Sequence, residues 1–449
     1  MASISDDVNS DAGPAMELPG MAYRSWFLLV MTLVSASVVA ERYMMVVLVE
    51  PIRRDLGLSD FAIAMIKDFA IAIVYILAVI PLARVADRWS KRKMVAIAAL
   101  TWSIAMLICG KAQNVWMLIV GRAGIGLGEG AYTPPSQSWI ADLFPVSQRA
   151  TALAIFLLGA SAGQFIGPVF GGWAAEEYSW QTALLMGSIP GFILAPIVWF
   201  TLRDVPAGLA DGHHRSPPPP MPFVASVKQI WAIPTLPPLI FAAGLNTLLT
   251  LGLIGWAPAF MERTHGMSGR EIGGQLGLAL MIGSAVGHTI GGPLADALGK
   301  RDLRWYVWLM VIAGLLSTAV AYAALNGPKD YVLMLFGLNL MIGGMSAAPL
   351  MAVIAGLPPA QSRSIAVAIL MVAINVIGLG AVPVFVGWLS DMFRPGYGEE
   401  SLRMAMQAVL LLVIPSTFLS WLASTRVRQD FAAVGIASMA GAERPATLH

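Results

Sequence analysis

The chain has 449 residues, of which 57% belong to the hydrophobic set AVILMFWYC and only 12% are charged. Soluble domains carry about 25% charged residues, so this composition excludes an ordinary soluble protein and favours one embedded in a lipid bilayer. The net charge of +2 is too small for a nucleic-acid-binding protein. A single cysteine, Cys109, excludes a disulfide framework and a cysteine-rich metal site, and no metal is predicted.

Hydrophobic stretches separated by charged residues or by Pro and Gly predict twelve membrane-spanning helices, and their length excludes barrel strands. In chain order these helices are predicted at residues 24–49, 60–83, 93–111, 115–141, 150–174, 181–202, 238–261, 269–295, 304–325, 331–357, 364–390 and 402–424. Residues 1–22 form a polar tail without the basic and apolar segments of a cleaved signal. We therefore expect the first hydrophobic helix to target the chain to the membrane.

The longest interruption, residues 203–233, contains four consecutive prolines, which favour polyproline II and exclude a spanning helix. It is predicted to link two six-helix halves, residues 23–202 and 234–424, with a tail at 425–449. Lys and Arg concentrate in the short loops on the linker side, as at 84–93 and 300–304. The positive-inside rule then places the linker and both termini in the cytoplasm, in a multi-pass protein of the cell (inner) membrane.

Two pairs of segments repeat along the chain at a common offset of 209 residues. ARVADRWSKR at 83–92 matches GPLADALGKR at 292–301, and GLS at 57–59 matches GMS at 266–268. Parallel repeats joined by a cytoplasmic linker are typical of secondary transporters, whose site lies between the halves near the membrane midplane.

The first of these repeats resembles the loop motif of the major facilitator superfamily, G-x-x-x-D-R-x-G-R-[RK]. Its two glycines are replaced by Ala83 and Ser90, whereas the second copy keeps Gly292 and Gly299. Helix 4 carries Arg122-x-x-x-Gly126-x-Gly128, similar to the superfamily's proton-coupling motif, and helix 5 carries a run similar to the tail of its antiporter motif, Gly163-x-x-x-Gly167-Pro168-x-x-Gly171-Gly172. The resemblance covers residues 24–424 and implies an all-α membrane fold of two pseudo-symmetric six-helix halves.

Within that superfamily, Glu41-Arg42-Tyr43 and GRAGIGLGEGAYTPPSQSWIADLF at 121–144 resemble the Spinster lipid transporters, although those usually show Asp in place of Glu41. The resemblance implies alternating access, an amphiphilic substrate such as a lysophospholipid or a sphingoid phosphate, and coupling to a proton gradient, more readily by antiport. It implies no cofactor and no enzymatic activity, and we expect a monomer. The alternative is a facilitator or symporter of a small organic anion, since Arg42 and Arg122 could bind such an anion as well.

Four of the ionisable residues inside the predicted helices are the strongest functional candidates: Glu41, Arg42, Arg122 and Glu129. Unpaired charges in a membrane cost several kcal/mol, so we assign these four to proton coupling. Helix geometry places Glu41 and Arg122 at similar depth, where they are expected to meet. Protonating either acid would leave an unpaired guanidinium, which makes the group a proton switch. Fixed ion pairs are the structural alternative. Substrate binding is assigned to Arg42, Arg122, Glu129 and Tyr132.

The loop motif predicts a cytoplasmic gate that forms when the cytoplasmic side is shut. Asp87 would accept from a helix N-terminus and Arg88 would pair with Asp142. The other residues assigned to this gate are Arg149 and, in the second copy, Asp296 and Arg301.

Three further ionisable residues, Lys67, Asp68 and His288, lie inside predicted helices. Lys67 is expected to extend to the outer interface, and its neighbour Asp68 should not line the same cavity, since adjacent helical residues point about 100° apart. His288 would either relay protons or hydrogen-bond its neighbours.

Overall fold

The computed structural model describes residues 18–86, 89–206, 209–211, 222–359 and 362–433. These residues form twelve long helical segments and no strand, as predicted. In order, the segments are α1 (Met21–Asp55), α2 (60–86), α3 (Lys91–Gly110), α4 (Val115–Leu143), α5 (Val146–Glu177), α6 (Trp180–Thr201), α7 (236–265), α8 (Gly269–Gly299), α9 (Trp305–Asn326), α10 (Lys329–Gly356), α11 (363–397) and α12 (401–433).

Several helices are longer than the apolar runs that predicted them. The first helix, α1, continues past predicted residue 49 to Asp55, and α12 continues past 424 to Ala433. Charged residues occupy these extensions, since a helix persists beyond the hydrocarbon region where water satisfies its end. The predicted linker contains a short helix, Phe223–Trp231, and residues 207–208 and 212–221 lie outside the described part.

Polar caps explain where many of the helices begin. The side chains of Ser59, Ser90, Asn114, Ser179 and Ser268 each accept a backbone N–H three residues on, at 3.1–3.2 Å. Such caps satisfy donors that a helix start leaves unpaired. After α7, Gly266 adopts φ +62°, a conformation that glycine adopts without strain, and this ends the helix.

Three helices contain π-helical turns, which are rare and common at functional sites. They are Met65–Phe69 in α2, Leu248–Gly252 in α7 and Ile374–Ala381 in α11. The α11 segment packs against the other two, although α2 and α7 belong to different halves. The irregular backbone therefore gathers at the interface between the halves.

Glycines on α5 bring it close to helices of both halves. A Cβ at Gly163 would lie 2.5 Å from the Ala36 carbonyl oxygen of α1, and Gly167 meets Ala40 in the same way. On the other side, a Cβ at Gly277 of α8 would lie 2.8 Å from the Phe165 carbonyl oxygen. The glycine run of α5 thus serves close packing with α1 and across the interface between the halves.

We name the two ends of the bundle by their chain contents. The terminal end is where α1 begins and where the linker helix lies, and the distal end is where α1 ends. The N-terminal half comprises α1–α6 and the C-terminal half comprises α7–α12.

Candidate functional site

A cavity of about 250 Å³, here called the charged cavity, lies between the halves around the π-helical turns. Its ionisable lining residues are Arg42, Lys67, Asp68 and Arg122. Residues of the C-terminal half close the other side, among them Gly255 and Asn375. Charged side chains from three helices of one half thus face the other half across a single cavity.

The two arginines of this cavity have different partners. The Arg42 Nη2 atom lies 3.0 Å from Glu129 Oε2, an ion pair between α1 and α4. Arg122 is 2% exposed and donates from Nη2 to the Lys67 backbone carbonyl at 2.8 Å. Within the described residues, no carboxylate oxygen lies within 4.0 Å of the Arg122 guanidinium, and its Nε has no partner. Arg122 is therefore a buried cation with no carboxylate in direct contact among the described residues.

Lys67 does not extend to the outer interface, so that prediction is wrong. Its side chain is 2% exposed, and its Nζ atom lies 2.6 Å from Asp68 Oδ2. Both residues line the charged cavity, again contrary to prediction. Both residues lie in the π-helical turn Met65–Phe69, where successive side chains are less than about 100° apart, and two long side chains at such an angle reach the same cavity.

Glu41 and Tyr132 lie outside this cavity. The Glu41 side chain is buried in an apolar groove among α1, α5 and α6, and its Oε1 atom has no hydrogen-bond partner. It makes no ion pair with Arg122 within 4.0 Å, so the contact expected from helix depth is absent. Tyr132 packs between Trp102 and Phe156 in the core of the N-terminal half, with ring centroids 5.7 and 6.3 Å away.

A second cavity of about 280 Å³, the C-terminal cavity, adjoins the first and shares Tyr43, Gln164 and Leu251 with it. Its wall is mostly apolar, with hydroxyl and amide groups and His288 at intervals; it includes Asn246, Thr247, Thr250, Ser284, Met310, Met351 and Met371. Unbranched methionines adapt to irregular apolar ligands. A charged space and an apolar space therefore lie side by side.

At the distal end, a buried ion network joins the halves. Arg263 of α7 contacts Glu50 Oε2 at 2.7 Å and Asp60 Oδ1 at 2.6 Å, and all three side chains are less than a tenth exposed. Asp391 of α11 accepts the backbone N–H groups of Asp60 and Phe61 at 3.0 and 2.9 Å, at the start of α2. This end of the interface is closed by charge-assisted bonds.

At the terminal end, the described ion pairs and hydrogen bonds lie within one half each. Lys91 pairs with Asp142, and Asp296 Oδ1 accepts from the Tyr306 hydroxyl at 2.7 Å. Arg149 donates to the Ala141 and Phe144 carbonyls, and Arg301 is exposed. Asp87 and Arg88 lie outside the described residues, so their predicted contacts stay predictions.

Sequence reasoning missed the distal network and the position of Lys67. In the sequence, the distal charges lie at helix ends beside charges of the opposite sign, as Arg53 and Arg54 do beside Asp55. The sequence does contain a signal for this network. Glu50 and Asp60 flank the turn at 57–59 in the first repeat, and Arg263 precedes the matching turn at 266–268 in the second repeat. Nothing in the sequence marks residues 65–69 as π-helical.

Residues 30–383 match the family model "Major Facilitator Superfamily", which spans more than half of the chain. The chain belongs to this superfamily. It is 31% identical to "MFS-type efflux pump" of Mycolicibacterium smegmatis, over 91% of this chain and 94% of that protein. It is 24% identical to "Protein spinster homolog 1" of Mus musculus, over 73% of this chain and 66% of that protein.

Among solved structures, the fold is similar to a bacterial homolog of the human lysosomal transporter Spinster, described as inward-facing and unoccupied. The TM-score is 0.84 at 24% identity, covering 92% of this chain and 99% of that one. This major facilitator protein is therefore a multi-pass membrane transporter related to Spinster proteins, with the superfamily's fold and its cavity between the halves.

Proposed function

We propose that this protein exports an anionic amphiphile, of the lysophospholipid or sphingoid-phosphate kind, by proton-coupled alternating access. One observation carries the proposal: the charged cavity adjoins the largely apolar C-terminal cavity between the halves. Three cations, Arg42, Lys67 and Arg122, have two carboxylates in contact, Asp68 and Glu129, which leaves Arg122 without a carboxylate contact in the described structure. Guanidinium groups bind phosphate bidentately, so a phosphate headgroup would pair with Arg122 while its chain occupies the second cavity.

The Arg42–Glu129 pair supplies a route for proton coupling. Protonating Glu129 would remove its negative charge and free Arg42 to bind the substrate anion, because a guanidinium cannot itself lose its proton. When the anion is released, Arg42 again lacks a carboxylate partner, which favours deprotonation of Glu129. Glu41 is proposed as a second titrating acid, since its Oε1 atom is buried without a partner.

The two ends of the bundle support alternating access. The distal end is joined by Arg263, Glu50 and Asp60, whereas the described polar contacts at the terminal end stay within each half. This is the arrangement of a cavity that faces the terminal end. With both termini in the cytoplasm, as we propose from the loop charges, the protein is inward-facing, monomeric and located in the inner membrane.

Transport into or out of proteoliposomes with an imposed pH gradient tests the proposal. The probes are lysophosphatidic acid, net-neutral lysophosphatidylcholine and succinate, with protein-free liposomes and Arg122→Met as controls. We expect gradient-dependent movement of lysophosphatidic acid, less of lysophosphatidylcholine, and none of succinate. Movement of succinate without either lipid would instead establish the small-anion alternative, and movement of lysophosphatidic acid that ignores the pH gradient would remove proton coupling.

A further inference from the structure

The Lys67 ammonium crosses from one half of the protein to the other. It lies on the π-helical turn of α2, and its Nζ atom is 3.4 Å from the Gly255 carbonyl oxygen of α7. It also lies 5.9 Å from the centroid of the Trp256 ring. Trp256 in turn donates from Nε1 to the Pro383 carbonyl of α11 at 3.0 Å. Lys67 therefore touches the point where α7 meets α11.

The contacts of this ammonium are unequal in strength. The ion pair with Asp68, at 2.6 Å, lies within the same helix and is not a hydrogen bond, because Asp68 Oδ2 has no hydrogen-bond donor among the described residues. Gly255 accepts a long hydrogen bond of 3.4 Å. An ammonium has three donors, and Gly255 is its one hydrogen-bond acceptor in the described structure, so donors remain for a ligand in the cavity that Lys67 lines. A desolvated cation with an unfilled donor binds an incoming anion strongly.

Arg122 is placed to share that anion. Its guanidinium hydrogen-bonds the backbone of Lys67, lines the same cavity and has no carboxylate within 4.0 Å in the described part of the chain. When Glu129 is protonated, as the proposed function requires, the cations of the cavity exceed the carboxylates in contact with them by two, which suits a headgroup with two negative charges. A phosphate monoester carries close to two negative charges near pH 7, and a phosphodiester has only one.

We propose that Lys67 is a second ligand of the substrate anion. We also propose that its hydrogen bond to Gly255, here called the latch, couples anion binding to the C-terminal half. An anion held by Lys67 and Arg122 draws the ammonium away from Gly255, which loosens the interface below the distal network. The inference rests on the proposed function of the same cavity. It adds a preference for phosphate monoesters and a link between headgroup binding and distal opening.

Ligand binding to the purified protein tests the first part without requiring transport. The probes are dodecyl phosphate and, as an uncharged control, dodecyl maltoside, with affinity measured by calorimetry. We expect Lys67→Met to weaken dodecyl phosphate binding at least tenfold and to leave maltoside binding unchanged, while Lys67→Arg retains most of the affinity. Lys91→Met is the matched control, since Lys91 pairs with Asp142 within one half. Equal dodecyl phosphate affinity in Lys67→Met and wild type would overturn the inference alone, whereas absence of phosphate binding in the wild type would overturn the proposed function as well.

Distances between spin labels test the latch. Labels at Lys111 and Asp330, exposed at the distal ends of the two halves, are introduced in a Cys109→Ala background. Dodecyl phosphate should lengthen the distance in wild type but not in Lys67→Met. A Cβ at Gly255 would lie 3.1 Å from Lys67 Nζ and would crowd the ammonium. Gly255→Ala should therefore lengthen the distance between the labels even without ligand. Distances that are the same in wild type and Lys67→Met, each with and without dodecyl phosphate, and in ligand-free Gly255→Ala would reject the latch and leave Lys67 an anion ligand only.

Discussion

The distal network and the charged cavity use the same kinds of side chain in opposite ways. At the distal end, Arg263 contacts two carboxylates from the other half, and Glu50 and Asp60 are almost fully buried. In the cavity, cations outnumber acids, and Arg122 bonds only a backbone carbonyl among the described residues. Paired charges close an interface, while an unmatched charge prepares a site for a ligand.

This comparison predicts that removing one charge at the distal end affects stability, whereas removing one in the cavity affects binding. Breaking a buried pair leaves its partner desolvated and unpaired, which is the larger penalty. Arg122 has no carboxylate contact to break among the described residues, so the loss of this cation should reduce binding of the anion and not stability.

The largest effect is expected from Arg263→Met. It removes the bonds that join Glu50 and Asp60 to the other half and leaves Arg53, in their own half, as the cation in contact with both. We expect a loss of unfolding free energy on the order of 3 kcal/mol. The surviving protein should open at the distal end. Thermal unfolding in detergent and distal label distances measure both effects.

Arg270→Met is the matched control for that variant. Arg270 also joins the halves at the distal end, to Glu176 and Glu177, but its side chain is 53% exposed. Solvent screening makes such pairs worth little, so its unfolding temperature should change far less. Equal destabilisation by the two variants would show that burial does not set the strength of the distal closure.

The second effect in size is expected from Arg122→Met. Loss of a charged hydrogen-bond donor should weaken binding of lysophosphatidic acid by about 2 kcal/mol, or roughly thirtyfold. The unfolding temperature should change little, because no carboxylate is left behind. Arg92→Met, which breaks a terminal-end pair with Asp204, is the control. If Arg122→Met unfolds at a lower temperature but binds lysophosphatidic acid as tightly as the wild type does, the role of Arg122 is structural.

The proton response is expected to depend on the acids. Glu129→Gln keeps the shape of the side chain but removes its titration, so transport should lose the tenfold change per pH unit, about 1.4 kcal/mol, that one coupled proton supplies. Glu41→Gln tests the second acid. If both variants lose the pH response of transport, the two acids carry the proton together. If only Glu129→Gln loses this response, Glu129 carries the proton. A response retained in both would refute proton coupling through these residues.

Much of the fold could be predicted because hydrophobic length and loop charge are local properties. The twelve helices, the central linker and the repeat all follow from patterns a few residues to one helix long. The helix ends were less predictable, since α1 and α12 carry charged extensions beyond the apolar run.

The site was harder to predict because it depends on how helices face one another. Depth along a helix predicted that Glu41 and Arg122 meet, but it could not say that Glu41 faces a groove away from the cavity that Arg122 lines. The assumption of 100° per residue failed at Lys67 and Asp68, where the helix is π-helical. Ion pairs between halves, such as Arg263 with Glu50, join residues more than 200 positions apart.

The smallest effect, expected from Tyr306→Phe, extends the comparison to the terminal end. In the described structure Asp296 is held within its own half by the Tyr306 hydroxyl, at 2.7 Å. Removing one hydrogen bond of this kind costs about 1 kcal/mol. If Asp296 belongs to the proposed gate, its release favours the state in which that end is closed, by a factor of about five.

Label distances across the terminal end decide between a gate and a simple structural bond. Tyr322→Phe is the matched control, because Tyr322 lies on the same helix with an exposed side chain. We expect a larger closed population in Tyr306→Phe and none of this shift in Tyr322→Phe. A lower unfolding temperature in Tyr306→Phe without a change in the distance distribution would make the bond structural. In that case no charged residue of the terminal end would exchange its partner when the protein changes conformation. The charges of the loop motif would then only set the orientation of the chain in the membrane.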